Sequence, residues 1–187
     1  SAFNGDLTAD WRAQNPHVEP ASELLARIRT ERRERWEAEQ LAKYEEKGKK
    51  TPKNWQDKYK EPEPVDESEL EELPELPESW CWTTEIEIGF VASGQTPKGC
   101  DDQHSDSGEI PWFRVGDMNS PGNEETLRHA AVKLTPDSIA ALKLHVRPQG
   151  TVVFPKRGGA IATNKKRVLG QPSAYDLNTM GVVPVID

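Results

Sequence analysis

The chain has 187 residues, of which 34% are hydrophobic and 30% are charged, and its formal net charge is -8. This length supports one domain of ordinary size, but the composition is too polar for one compact unit throughout. We therefore predict a folded part and an extended, solvated part. No run approaches the about 18 apolar residues of a membrane span, and the first residues show no signal-peptide h-region, so we expect a cytoplasmic protein without a membrane partner.

Charge is unevenly distributed along the chain. Residues 1–60 carry a net charge of +2, residues 61–80 carry -9 and residues 81–187 carry -1. The pI of about 5.1 therefore arises mostly from one acidic connector. It does not exclude a nucleic-acid partner, because phosphate binding depends on the local field and not on total charge.

The first half of the chain predicts a helix and a linker. Phe3 before Asn4-Gly5 is typical of a helix meeting its C-terminal glycine, so residues 1–12 are expected to end a helix whose body belongs to a longer protein. Residues 19–47 predict a helix that carries a belt of arginines. Two interpretations are open: a surface helix with Glu-Arg pairs at helical spacing, or a helix that tracks DNA. Residues 48–78 are rich in proline and acid and are expected to be extended or partly disordered. The predicted divisions are 1–12, 13–75 and 76–187.

Residues 76–187 predict an α+β domain of short mixed or antiparallel strands, preceded by the charged helix and the acidic proline-rich linker. One or two short elements are expected over residues 83–92. Further strands are expected over residues 110–115, 151–154, 167–169 and 180–185. A short helix is expected over residues 137–144, where Thr135-Pro136 places proline at an early helical position.

One window of this domain is entirely basic. Between Ser138 and Tyr175 there is no Asp or Glu, while seven cations occur: Lys143, Arg147, Lys156, Arg157, Lys165, Lys166 and Arg167. A strand-like run leads into Lys156-Arg157-Gly158-Gly159, which predicts an exposed basic turn. Such a turn suits a phosphate backbone, since glycines allow close approach and Lys and Arg supply charge. The simpler interpretation is a solvated basic hairpin.

The candidate DNA-binding residues fall into two groups. Phosphate contacts are predicted for the cations, although one of the arginines is also suited to guanine; base contacts are predicted for polar loop residues. The complete set is Gln95, Thr96, Lys98, Lys156, Arg157, Asn164, Lys165, Lys166, Arg167 and Asn178. Turn Asn and Thr residues more often bond their own backbone than read a base. Trp82, Trp112 and Tyr175 are expected to be core aromatics, and Asp176 is expected to make structural hydrogen bonds.

No catalytic or metal-binding residues are predicted. The sequence has no Gly-x-x-x-x-Gly-Lys-[Ser/Thr] loop, no Asn/Asp-Pro-Pro-aromatic motif, and no serine or cysteine context near its four histidines that suggests a triad. Cys81 and Cys100 lie 19 residues apart without a CxxC pattern, so both are expected to be reduced thiols.

Five segments occur in an order that resembles the specificity (S) subunit of type I restriction-modification enzymes. They read SAFNGDLTADWR, LPESWCWTTEIEIG, SGQTPKG, IPWFRVGDMN and GTVVFPKRGGAIATNKKRVL. The resemblance implies that residues 1–12 end the central conserved helix and that residues 76–187 form the second target recognition domain, incomplete at its C-terminus. It also implies a non-catalytic subunit that reads one half of a bipartite site in double-stranded DNA.

The same resemblance implies partner methyltransferase (M) and restriction/translocase (R) subunits. S-adenosylmethionine, ATP and magnesium then belong to those partners, and this chain holds no cofactor. Two alternatives remain open. One is the recognition region of a single-chain restriction enzyme and methyltransferase; the other is a protein-interaction scaffold that uses the Arg-rich helix.

Overall fold

A computed structural model describes residues 4–186 of the chain. The predicted helix end at Phe3 lies outside the described residues. The chain divides between Ile88 and Gly89 into two compact units. The start of the folded domain near residue 76, inferred from the sequence, stays a prediction.

The first unit is helical. Its helices are α1 (Ala9–Gln14), α2 (Ala21–Glu46), α3 (Glu67–Leu70) and α4 (Glu85–Ile88), and Asp6–Thr8 and Gln56–Lys58 form 3₁₀ turns. Helix α2 follows Pro20 in extended conformation and ends at Lys47, before Gly48 with a φ of 59°. The helix predicted over residues 19–47 is thereby confirmed, and positive φ explains the glycine that ends it.

Ion pairs cover the surface of α2. Arg27 bonds Glu19 at 2.9 Å, Arg33 bonds Glu37 at 3.1 Å, and only Leu25 and Ile28 of the helix are buried. These contacts favour the interpretation of α2 as a surface helix laced with Glu-Arg pairs.

The segment after α2 has little regular structure, as its proline and acid content predicts. Two of its aromatic residues nevertheless contact the helix. Trp55 stacks on Trp36 with ring centroids 5.9 Å apart, and Tyr59 lies 5.3 Å from the same ring. The sequence pattern of this segment is dominated by charged residues and proline, so it does not indicate that these three aromatic residues form a cluster.

An ion pair between the half-exposed Arg29 and the buried Glu87 joins α2 to α4. Glu87 is 1% exposed, and its Oε1 accepts bonds from Arg29 Nε at 3.1 Å and Nη2 at 2.5 Å. Its Oε2 accepts from the Thr83 hydroxyl at 2.9 Å and the Thr84 amide at 3.2 Å. Burial acts to raise the pKa of Glu87, but these bonds outweigh it and hold the pKa below its ordinary value.

We expect Glu87→Gln to lower the free energy of unfolding by about 1–3 kcal/mol at pH 7, because the buried acceptor loses its charge and Arg29 loses its partner. A depressed pKa contributes stability above the unfolded-state pKa, and this contribution is lost as pH falls through the folded-state pKa. The difference in unfolding free energy between wild type and variant should therefore shrink in acid.

Urea unfolding at pH 7 and at a pH below the folded-state pKa measures this difference. Glu19→Gln is the control and should change little, because the side chains of the Arg27–Glu19 pair are 49% and 41% exposed. An equal loss in both variants would contradict the assignment.

The second unit is an α+β domain, as predicted, and its strands form two sheets. Its elements are β1 (Gly89–Ser93), β2 (Ile110–Phe113), β3 (Thr126–Leu127), β4 (Val132–Leu134), α5 (Pro136–Leu142), β5 (Val152–Pro155), β6 (Arg167–Leu169), β7 (Ala174–Tyr175) and β8 (Thr179–Pro184). One sheet has the order β1-β8-β5-β6-β3 and the other the order β4-β2-β7. Within the first sheet all pairs are antiparallel except β3 with β6.

Strand β2 separates two hydrophobic clusters. Successive strand side chains point to opposite faces, so Trp112 joins a cluster with Leu134, while Phe113 joins one with Val153 and Leu169. Ile139 and Leu142 of α5 pack on the Trp112 cluster. The three-stranded sheet therefore lies between α5 and the five-stranded sheet. Trp112 and Tyr175 are 1% and 2% exposed, which confirms them as core aromatics.

Candidate nucleic-acid interface

Three loops meet at one end of the five-stranded sheet. Ser93 at the end of β1 pairs with Met180 at the start of β8, and Pro155 at the end of β5 pairs with Thr179. Strand β6 begins at this end too, since Arg167 pairs with Val153. We call residues 94–98, 156–166 and 176–178 the loop end. Together with Arg167, which immediately follows it, the loop end contains every DNA-binding residue predicted from the sequence.

Backbone hydrogen bonds hold these loops to one another. The Lys156 amide donates to the Asn178 carbonyl at 2.8 Å, and the Gln95 amide donates to the Tyr175 carbonyl at 2.9 Å. The Thr96 hydroxyl accepts from the Leu177 amide at 2.9 Å. The loop end is therefore a fixed surface built from segments far apart in sequence.

The polar side chains predicted to read bases are partly used inside the protein. Gln95 Oε1 accepts from the His145 amide at 2.8 Å, and its Nε2 donates to the Lys143 carbonyl at 3.3 Å. Asn178 Nδ2 donates to Asp176 Oδ2 at 3.2 Å. These bonds, with that of Thr96, give all three residues a structural role.

Asp176 makes structural hydrogen bonds, as expected. It is 5% exposed, and its Oδ1 accepts from the Thr179 hydroxyl at 2.7 Å. Asp117 is also buried and accepts from the Arg114 amide at 2.7 Å and the Ala131 amide at 3.2 Å. Both carboxylates point into the protein, so neither is exposed to oppose a phosphate.

The connection from β5 to β6, residues 156–166, is termed the basic loop. The sequence predicts a turn at residues 156–159, but the structure has a longer connection containing a 3₁₀ helix, Gly158–Thr163. Gly158 with φ 67° and Asn164 with φ 51° stand at its two ends. The Asn164 amide donates to the Ile161 carbonyl at 3.0 Å, and the Thr163 hydroxyl donates to the Ala160 carbonyl at 2.6 Å. The loop is thus ordered by its own bonds.

The cations of the basic loop bond neutral oxygens. Lys156 donates to the Ser93 hydroxyl, Lys165 to the Asn119 side-chain carbonyl and Lys166 to that of Asn164. Arg157 is exposed. Within residues 4–186 none of these four cations forms an ion pair with a carboxylate. Their positive charge is therefore available to an anionic partner.

Arg167 differs from the other cations because it faces the protein. Its Nη2 donates to the Met118 carbonyl at 3.1 Å and its Nη1 to the Lys166 carbonyl at 2.8 Å. These bonds fix the start of β6 against the 3₁₀ segment Val115–Asn119. The geometry favours a positioning role for Arg167. Lys98 is exposed at the loop end and stays a predicted DNA-binding residue.

Two residues that contact the basic loop were not predicted from the sequence: Ser93 accepts a hydrogen bond from Lys156, and Asn119 accepts one from Lys165. The available signal was the polar Gly-Asp-Met-Asn segment that closes β2, but its partners lie far along the chain. The exposed acids Glu124 and Glu125 precede β3, which runs parallel to β6, and so mark the border of the basic surface.

Residues 4–186 contain no group of three His, Cys, Asp or Glu residues arranged to hold a metal ion. Burial, with a smaller contribution from Asp101, raises the pKa of the Cys100 thiol to about 11, so the thiol is protonated at neutral pH. No helix in the described range is both long and apolar enough to cross a membrane.

The second unit is thus a mixed-sheet α+β domain with a basic, preordered loop end. Among solved structures, the chain is similar to the HsdS subunit from Thermoanaerobacter tengcongensis, with a TM-score of 0.44 and 17% identity, over 59% of this chain and 25% of that one. It is also similar to a chain from a study of complex assembly and conformational transition of the type I R-M system, with a TM-score of 0.44 and 16% identity, over 87% of this chain and 34% of that one.

The first of these neighbours is an HsdS subunit, and the second belongs to a study of a type I R-M system. The chain spans only 25% and 34% of their lengths, and at 17% and 16% identity neither similarity assigns it an activity. No protein-family model matches the chain. No curated protein matches it either.

Proposed function

We propose that this chain is a non-catalytic DNA-recognition module of a type I restriction-modification complex, reading one half of a bipartite site. The observation that supports this most is the gathering of unpaired cations and polar loops at one end of the five-stranded sheet. Basic charge positions a protein on phosphates, and nearby side chains then read base edges. The M and R subunits are the proposed partners, and the cofactors for methylation and translocation belong to them.

The charge distribution supports this proposal despite the acidic whole. Residues 89–185 contain 11 Lys and Arg against nine Asp and Glu, a net charge of +2. Asp117 and Asp176 are buried and hydrogen-bonded, and the basic loop has no acid. The local field at the loop end is therefore positive, as phosphate binding requires.

The cations of the basic loop are assigned different tasks. Lys166 reaches back to Asn164 and is suited to a phosphate, since an ammonium group is a point charge. Arg157 is exposed and precedes two glycines, so its guanidinium has room to address a guanine edge through two parallel hydrogen bonds. We therefore propose Arg157 as the base-reading residue of this loop.

Affinity measurements on two variants test this assignment. We expect Lys166→Ala to weaken binding to all duplexes alike and to lower the slope of log affinity against log salt by about one unit. Arg157→Ala should cost about 1–3 kcal/mol on the cognate half-site and relax the choice of one base. The cognate sequence is found by comparing methylated motifs in cells with and without the full gene.

The complex is titrated with cognate and scrambled duplexes at two salt concentrations. Lys50→Ala, which removes one exposed cation from the first unit, is the charge-matched control and should leave the slope unchanged. Unchanged affinity and slope in both loop variants would show that the basic loop is only solvated surface.

A further inference from the structure

The centre of the basic loop is apolar. Ile161 is 54% exposed at the middle of the 3₁₀ helix Gly158–Thr163, whose other residues are glycine, alanine and threonine. Single exposed aliphatic residues are common and need no explanation by themselves. This one differs by its position, because Lys156 and Arg157 lie before the helix and Lys165 and Lys166 lie after it.

Glycine occurs at the two positions of this helix for different physical reasons. Gly158 has a φ of 67°, which favours glycine for backbone reasons. Gly159 lacks positive φ, and a methyl group there would meet no atom of the chain within 4 Å. The fold therefore does not require glycine at position 159. A missing side chain at an open, preordered surface leaves the backbone accessible to an external partner.

The charge of the basic loop indicates the class of that partner. A tip flanked by four cations and free of acids complements a polyanion, and base pairs are the apolar part of such a polymer. Flanking lysines that bind phosphates on either side would hold the tip towards a groove, beside the guanine edge proposed for Arg157. The contact available to Ile161 there is the apolar surface of the bases.

We propose that Ile161 is a DNA-contacting residue that loses its solvent exposure against base surface in a groove, with Gly159 allowing the backbone to come close. This inference rests on the proposed function and adds an apolar contact to the charged ones. Apolar base surface has two sources: the methyl group of thymine at the groove wall, and a base step opened by an inserted side chain.

Threonine replacements test the contact, since they keep the β-branched shape while removing apolar surface. The probe is the duplex that the wild-type chain, in its complex, selects from a random-sequence pool. We expect Ile161→Thr to weaken binding to it by about fivefold to tenfold without changing the salt slope. Val91→Thr, at a residue 59% exposed on β1, is the matched control and should leave affinity unchanged.

Two further arms distinguish the sources of apolar surface. If Ile161 contacts a thymine methyl group, replacing thymine by uracil should weaken wild type and leave Ile161→Thr unaffected. If Ile161 enters a base step, the fluorescence of 2-aminopurine placed in the duplex should increase when wild type binds and should not increase when Ile161→Thr binds. Identical behaviour of wild type and Ile161→Thr in both arms overturns the inference.

The outcomes separate this inference from the proposed function. If Ile161→Thr binds as wild type while Lys166→Ala lowers the salt slope, the basic loop binds DNA but its tip does not. If the wild-type complex selects no duplex and shows no salt-dependent affinity, the proposed function fails and this inference fails with it.

Discussion

Replacing Gly94 by alanine is expected to lower the free energy of unfolding by about 3 kcal/mol or more and to abolish DNA binding. A methyl group at Gly94 would overlap the carbonyl oxygens of Tyr175 and Asp176, and it would lie 2.6 Å from the Tyr175 ring. Those carbonyl groups belong to the backbone between β7 and β8 and cannot rotate away. Relief therefore requires β1 to separate from its neighbours.

That separation would break bonds that build the loop end. The Gly94 amide donates to the Thr179 carbonyl at 3.1 Å, and the adjacent Gln95 amide donates to the Tyr175 carbonyl at 2.9 Å. Urea unfolding followed by tryptophan fluorescence measures the loss. Gly116→Ala is the control, because a methyl group there meets no atom of the chain within 4 Å. Equal stability of the two variants would show that Gly94 is not closely packed.

Replacing Lys156, Arg157, Lys165 and Lys166 together by glutamine is expected to lower the salt slope of DNA binding by about three units, roughly one for each lysine. Near 0.1 M salt this corresponds to a loss of affinity on the order of a thousandfold. The physical reason is counterion release, since each cation that neutralises a phosphate frees a bound counterion. The expected loss is shared by all sequences, apart from the additional effect of Arg157 at one base.

The chain offers a control with an identical change of net charge. Lys49, Lys50, Lys53 and Lys58 are four exposed cations of the first unit, and their replacement by glutamine removes the same charge. This control should keep most of the salt slope. If the two quadruple variants lose equal affinity, the effect is one of total charge and the basic loop is not the binding surface.

Much of the second unit could be predicted from apolar runs. Strands β2, β5, β6 and β8 correspond to the predicted strands, and α5 begins at Pro136 after Thr135, whose hydroxyl accepts from the Ser138 amide at 3.2 Å. Strands β3 and β7 have two residues each, too few for any period to appear in sequence. They form because β6 and β2 present open edges to them.

The candidate site was predictable in composition but not in detail. The absence of acids between Ser138 and Tyr175 is visible in sequence. The strand register then places the cations of the basic loop beside the loops after β1 and before β8. The bonds of Gln95 to Lys143 and His145 span 48 and 50 residues, so no local pattern could predict them. The 3₁₀ helix Gly158–Thr163 was missed because a Gly-Gly pair favours a turn.

Selection from a pool of random-sequence duplex DNA tests the central claim most directly, with the full chain in its complex as the binder. The proposed function predicts that repeated rounds enrich one short fixed sequence, and that Arg157→Ala relaxes one position within it while leaving the others fixed. A bound pool that remains as random as the starting pool would contradict sequence recognition by this chain.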